Sequence, residues 1–146
     1  MTVRVADVAE RWLADAYDLV ARGWCQGATA RAAGGTPVEP ESADACEWSM
    51  TGALVRVWRL AEEADKVLGL AALGRANLAL TAATGAIPGT WNDTPGRRQS
   101  HVLEAICEAV SLVSVVVVLA ERRGPLAAAP PAVADAAAPG ELGSAA

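Results

Sequence analysis

The sequence predicts a mainly α domain: about four helices packed around a buried C-terminal helix, with a loop or small β-hairpin after the first. Three observations carry that prediction. Hydrophobic residues make up 53% of the 146 residues and charged residues 20%, enough apolar surface for one folded core. Apolar side chains recur at i, i+3, i+4 and i+7 over several long segments, the period of a helix with one buried face. Extended-chain signals are confined to one Gly- and Pro-bearing stretch between residues 26 and 40.

Taken in order, Val5, Val8, Ala9, Trp12, Leu13, Ala16, Leu19 and Val20 form the apolar side of a first helix over 3–22. Asp7, Glu10, Arg11, Asp15, Asp18 and Arg22 lie opposite. Gly23 follows at once, in the place of a left-handed C-cap. Two short extended pieces, 26–32 and 36–39, would pair around Gly34-Gly35; a plain loop fits the same residues, because a lone two-stranded ribbon is marginal. Ser42 can cap a second helix over 43–59, with Ala45, Trp48, Met50, Gly52, Leu54, Val55 and Trp58 as its stripe. Residues 60–73 either continue it after a bend or form a third helix. Ala76 to Ala83 form a fourth, closed by Gly85, and Pro88-Gly89 reads as a turn.

The last helix, 98–123, carries Val102, Leu103, Ile106, Val110, Val113, Val117 and Ala120 on one side. Leu112, Val115, Val116 and Leu119 make its second half apolar nearly all round, as in the centre of a bundle or across a subunit interface. That surplus predicts a homodimer through the C-terminal helix. Residues 125–146 hold ten alanines and four prolines, which forbid a continuous helix. The expected organisation is one helical domain, 1–124, followed by a disordered tail.

The totals exclude several function classes. Net charge is −5, and the tail after Gly124 holds two of the 17 acids and none of the 12 bases, so the body is acidic too. An acidic body lacks the basic face that nucleic acid requires. The apolar run from Ala109 to Ala120 is too short to span a bilayer, which takes about 20 residues. Charges interleave from Arg4 onward, leaving no signal-peptide core, and Cys25, Cys46 and Cys107 are odd in number. Free thiols in a reducing cytoplasm follow as the expectation.

Chemistry-bearing residues concentrate in two short stretches. One is Gly23-Trp24-Cys25-Gln26-Gly27. The other is Trp91-Asn92-Asp93-Thr94-Pro95-Gly96-Arg97, whose Pro-Gly pair reads as a turn feeding the last helix. Together with Trp48 and Gly52-Ala53-Leu54, they resemble a group of small actinobacterial and phage domains of unknown function, marked by GWCQG and WND-x-PGR. The resemblance covers residues 5–120 and implies a shared fold, with no assigned activity. This chain departs from the pattern at two positions: Ser49 stands where such sequences usually carry a cysteine, and Arg98 where Thr often follows PGR.

Each candidate residue has a structural and a functional reading. Cys25 could act as a nucleophile with His101 as base and Asn92 or Asp93 as orienter; equally it is a small packing residue near the negative end of the first helix. Cys25, Cys46, His101 and Asp93 include metal-ligand types, but they lack C-x-x-C or H-x-x-x-H spacing, so no metal and no cofactor is expected. Asp93 or Thr94 can cap the last helix with Pro95 in its first turn, or the Asp93 carboxylate can take a proton or hold an amine. Arg97 can clamp an anion, or pair internally with Asp93 or with an acid of the first helix. His101, one turn further on, is a solvated surface residue or a base. Trp24 and Trp91 pack in the core or wall a pocket.

If the two loops meet, Trp24, Cys25, Gln26, Trp91, Asn92, Asp93 and Arg97 would line one cleft. The leading expectation is a binding or accessory protein that holds a small molecule or peptide there. The alternatives are a cofactor-free enzyme using Asp93 with His101 or Cys25, and a dimeric interaction protein whose motifs are purely structural.

Overall fold

In the computed structural model the described residues are 3–115. They form α1 (Val5–Arg22), β1 (Ala30–Ala32), β2 (Ala45–Trp48), α2 (Met50–Arg59), α3 (Glu63–Lys66), α4 (Gly69–Thr84), α5 (Pro88–Asn92) and α6 (Gln99–Leu112). The fold is mainly α, with four longer helices, two helices of about one turn, and a small antiparallel sheet after α1. The expected tail at 125–146 and positions 116–123 of the predicted last helix lie outside the described residues.

The predicted apolar side of α1 is its buried face, from Val8 through Val20, and it packs against α2, α4 and α6. Gln99 donates from Nε2 to the Val20 carbonyl at 2.7 Å, tying the start of α6 to the end of α1 and running the two helices antiparallel. The buried side of α6, Val102, Ala105, Ile106 and Ala109, then meets both α1 and α4.

Gly23 does not take the left-handed conformation expected of it. Its φ of −173° is ordinary extended backbone. The chain leaves α1 straight into pairing with β2: Trp48 N–H donates to Gly23 O at 3.0 Å, and Cys25 N–H to Trp48 O at 3.3 Å. Glycine is required there by space, since a Cβ would run into the Cys46 carbonyl.

The sheet forms where the sequence allowed a hairpin, but with a different main partner. Ala30 pairs with Trp48 and Ala32 with Ala45, so β1 lies on β2. The turn at Gly34-Gly35 also closes: Ala32 N–H reaches Thr36 O at 2.9 Å, Val38 N–H reaches Ala30 O at 3.0 Å, and Gly35 has φ 88°. The sequence predicts residues 45–48 as part of the second helix. They are a strand because pairing buries Trp48 against β1, while the helix starts later, at Met50 behind the Ser49 cap. The Ser49 hydroxyl, not Ser42, caps α2 by accepting from Gly52 N–H at 3.0 Å. Ser42 instead accepts from Asp44 N–H in a local turn.

Two further boundaries moved. Helix α4 runs unbroken through Gly74, which faces open space, and ends at Gly85 with φ 70°, the cap the sequence placed there. Pro88-Gly89 opens the short helix α5 rather than a turn, with Pro88 at its first position.

Candidate functional site

The two motif loops meet, and their polar atoms turn toward one another. Asn92, the last residue of α5, is fully buried. Its Oδ1 accepts from the Trp24 indole N–H at 2.8 Å and from Met50 N–H at 3.0 Å. Its Nδ2 donates to Cys25 O at 3.1 Å and to Asp93 Oδ1 at 2.9 Å. A carboxamide offers two donors and two acceptor positions, so this one is saturated. It joins the stretch after α1, the first turn of α2, and α5 in one bonded knot.

Neighbouring residues complete the knot. Gln26 Nε2 donates to Asn92 O at 2.9 Å and to Thr94 O at 3.1 Å. Gly27, held at φ 78°, donates its N–H to Asp93 Oδ1 at 3.0 Å. Among the described residues no buried side-chain nitrogen or oxygen lacks a partner. The polar groups of Trp24, Gln26 and Asn92 therefore bond the two loops together instead of lining an open cleft between them. A hollow of about 540 Å³ lies beside the knot, walled by Gly27 to Thr29 and Pro37 to Glu39.

Cys25 is buried, with its Sγ 3.6 Å from the Ala28 carbonyl. Burial pushes its thiol up to about 11, and the negative charge of Glu47 adds to the effect. At neutral pH it is almost wholly the unreactive thiol. His101 sits in the first turn of α6, where its Nδ1 accepts from Arg98 N–H at 3.2 Å. Among the described residues it is hydrogen-bonded to neither Cys25 nor Asp93. Nor does any set of three His, Cys, Asp or Glu side chains converge as metal ligands there.

Asp93 does not cap the last helix. It follows α5, and α6 begins only at Gln99. Between them Thr94 to Arg97 form a tight turn, with Arg97 N–H on Thr94 O at 3.0 Å and Gly96 at φ 86°. Asp93 is exposed at the rim, with one oxygen engaged in the knot.

Arg97 makes no ion pair with Asp93. Its guanidinium lies over the Trp91 ring, 3.7 Å from the centroid, while its Nε donates to Trp91 O at 2.9 Å. Both residues are half-buried, so this stack forms part of the outer wall of the knot.

Sequence reasoning missed two features. One is Met50, whose backbone N–H binds Asn92; Ser49, a good N-cap residue directly before it, was the available signal. The other is an open groove of about 590 Å³ between α1 and the α2–α3 region, walled by Arg11, Asp15, Asp18, Arg22, Arg56 and Leu60 among others. Arg11, Asp15, Asp18 and Arg22 already stand in one row at helical spacing.

Among the described residues no helix is long and apolar enough to cross a membrane. No curated protein and no solved structure matches the chain. One family model matches residues 4–112, from the start of α1 to the end of α6, and the chain belongs to that family, described as a family of unknown function (DUF6197).

Proposed function

We propose that this chain is a non-catalytic binding or accessory protein for a small molecule or peptide, with the knot as its rigid support. The observation that carries this reading is the division of labour at the two motifs. Trp24, Gln26 and Asn92 point inward and are bonded, whereas the Trp91–Arg97 stack and the Asp93 rim remain at the surface. Recognition groups gain from such support because less side-chain freedom is lost on binding. An enzyme built on Asp93 with Cys25 or His101 is less well supported, since the thiol holds its proton and the imidazole Nδ1 is engaged with the backbone. Three free cysteines and an acidic body fit a cytoplasmic protein with no nucleic-acid partner.

A thermal-shift screen of small molecules and short peptides tests this reading, run on the full chain and on Trp91→Ala. A ligand at 100 times its Kd stabilises by about 2.7 kcal/mol, readily seen in a domain of this size. Ligands that raise the melting temperature of the wild type and not of Trp91→Ala support the surface. Ligands that act equally on both place binding elsewhere and sink it.

A homodimer is a second reading. Val67, Leu70 and Leu78 stand exposed along the outer side of α4 and the residue run before it, with Ala71 and Gly74 between them. Of the apolar residues 112–119 on which the sequence bases a dimer, 116–119 lie outside the described part. Sedimentation of the wild type against Leu70→Glu checks it: a dimer should become monomeric, and a wild-type monomer removes the reading.

A further inference from the structure

Arg97 is held at three points. Its backbone N–H closes the turn on Thr94, its Nε donates to the Trp91 carbonyl, and its guanidinium plane rests on the Trp91 ring. These contacts fix the side chain without using its two terminal nitrogens. Among the described residues neither nitrogen has a hydrogen-bond partner and no carboxylate pairs with the group. A role limited to packing would be met by the Nε bond and the stack alone. The outer edge of the guanidinium is left as an oriented pair of donors carrying a positive charge.

We infer that this edge of Arg97 is a carboxylate-binding point, the group by which a small acid or a peptide carboxylate engages the surface outside the knot. The inference rests on the binding role proposed above and names the chemistry of its ligand. Two parallel N–H donors match the two oxygens of a carboxylate, and the pre-set plane removes the rotamer cost that a free arginine would carry. Charge selects the monoanion. The body of the chain is acidic, so a dianionic phosphate meets more repulsion there than a single carboxylate does. A lysine at this position could supply charge but not the fork.

The test is an NMR titration of the full, ¹⁵N-labelled chain that follows the Arg97 Nε–H and the Trp91 indole N–H. The probes are sodium acetate, N-acetylglycylglycine with its free carboxylate, and the C-terminal amide of that peptide, each against sodium chloride at matched ionic strength. Both resonances should move and saturate with acetate, at a Kd of about 10 to 100 mM for one charge-assisted bidentate contact. The free-acid peptide binding at least as tightly as acetate identifies a peptide terminus as a usable source; acetate binding alone identifies small acids. In Arg97→Lys, which lacks the Nε–H, the response read at the Trp91 indole N–H should weaken about tenfold, while the Trp24 indole N–H keeps its position and reports an intact knot. No movement at Arg97 with either carboxylate, equal movement with chloride, or an undiminished Trp91 indole response in Arg97→Lys overturns the inference. If the amide peptide then still shifts Gln26, Asp93 or Thr94, the binding surface stands and only its carboxylate chemistry falls. If no probe shifts any of them and the thermal screen is also empty, both fall.

Discussion

The Trp24 indole N–H donates to the side-chain oxygen of Asn92 at 2.8 Å, across 68 residues of chain. That bond, and the three others made by the same carboxamide, settle how the end of α1, the start of α2 and the end of α5 sit together.

Replacing Asn92 should therefore be among the more damaging single changes in the molecule. Asn92→Ala strands the Trp24 and Met50 N–H groups and the Cys25 carbonyl, each at a cost of about 1 to 3 kcal/mol when left unsatisfied. Partial rewetting reduces the sum, so a loss of about 3 to 5 kcal/mol is expected in urea unfolding. A loss below about 1 kcal/mol, the range of an ordinary surface substitution, would show that the knot is not a unit.

The buried thiol makes stability depend on alkaline pH. Cys25 titrates at about 11 in the folded chain against an ordinary 9.0, so the native state holds this proton more tightly. Its contribution is complete below pH 9 and is lost as pH rises toward 11, amounting to about 2 to 3 kcal/mol. Melting temperatures between pH 7 and 11 should fall less steeply in Cys25→Ala than in the wild type. At pH 8 a thiol reagent should modify the exposed Cys46 and Cys107 well before Cys25.

Two glycines inside helices should respond in opposite directions. A Cβ at Gly52 would collide with the Thr29 backbone carbonyl, which cannot swing aside as a flexible side chain can. Gly52→Ala should destabilise by about 1 to 3 kcal/mol, the usual range for overpacking. At Gly74 the added methyl meets open space, so Gly74→Ala should stabilise by about 0.5 to 1 kcal/mol through helix propensity. Paired chemical denaturation curves decide both.

The start of α2 can be located by its cap. Ser49→Ala removes the acceptor for Gly52 N–H and should cost about 1 kcal/mol. Ser42→Ala, seven residues earlier, removes only a local turn contact and should cost a few tenths at most. Equal losses would contradict the helix boundary.

Legible in the residues alone are the mainly helical fold, the buried face of α1, the Gly85 cap of α4, the chain turn at Pro95-Gly96 and the concentration of polar chemistry in two short stretches. These are local properties: periodicity of apolar residues, a glycine free to take positive φ, and the bond geometry of proline. Trp48 shows where local reading stops. Helical spacing and strand pairing both suit it, and only the backbone of β1 and Gly23, distant in sequence, decides for the strand. Asn92, Asp93 and Arg97 show the same limit at the candidate site. Their residue types announced polar chemistry, but whether an amide faces solvent or a saturating set of buried partners depends on which segments are brought beside it. That choice belongs to the tertiary structure, because an unpaired buried polar group is costly and packing must bring its partners from remote parts of the chain.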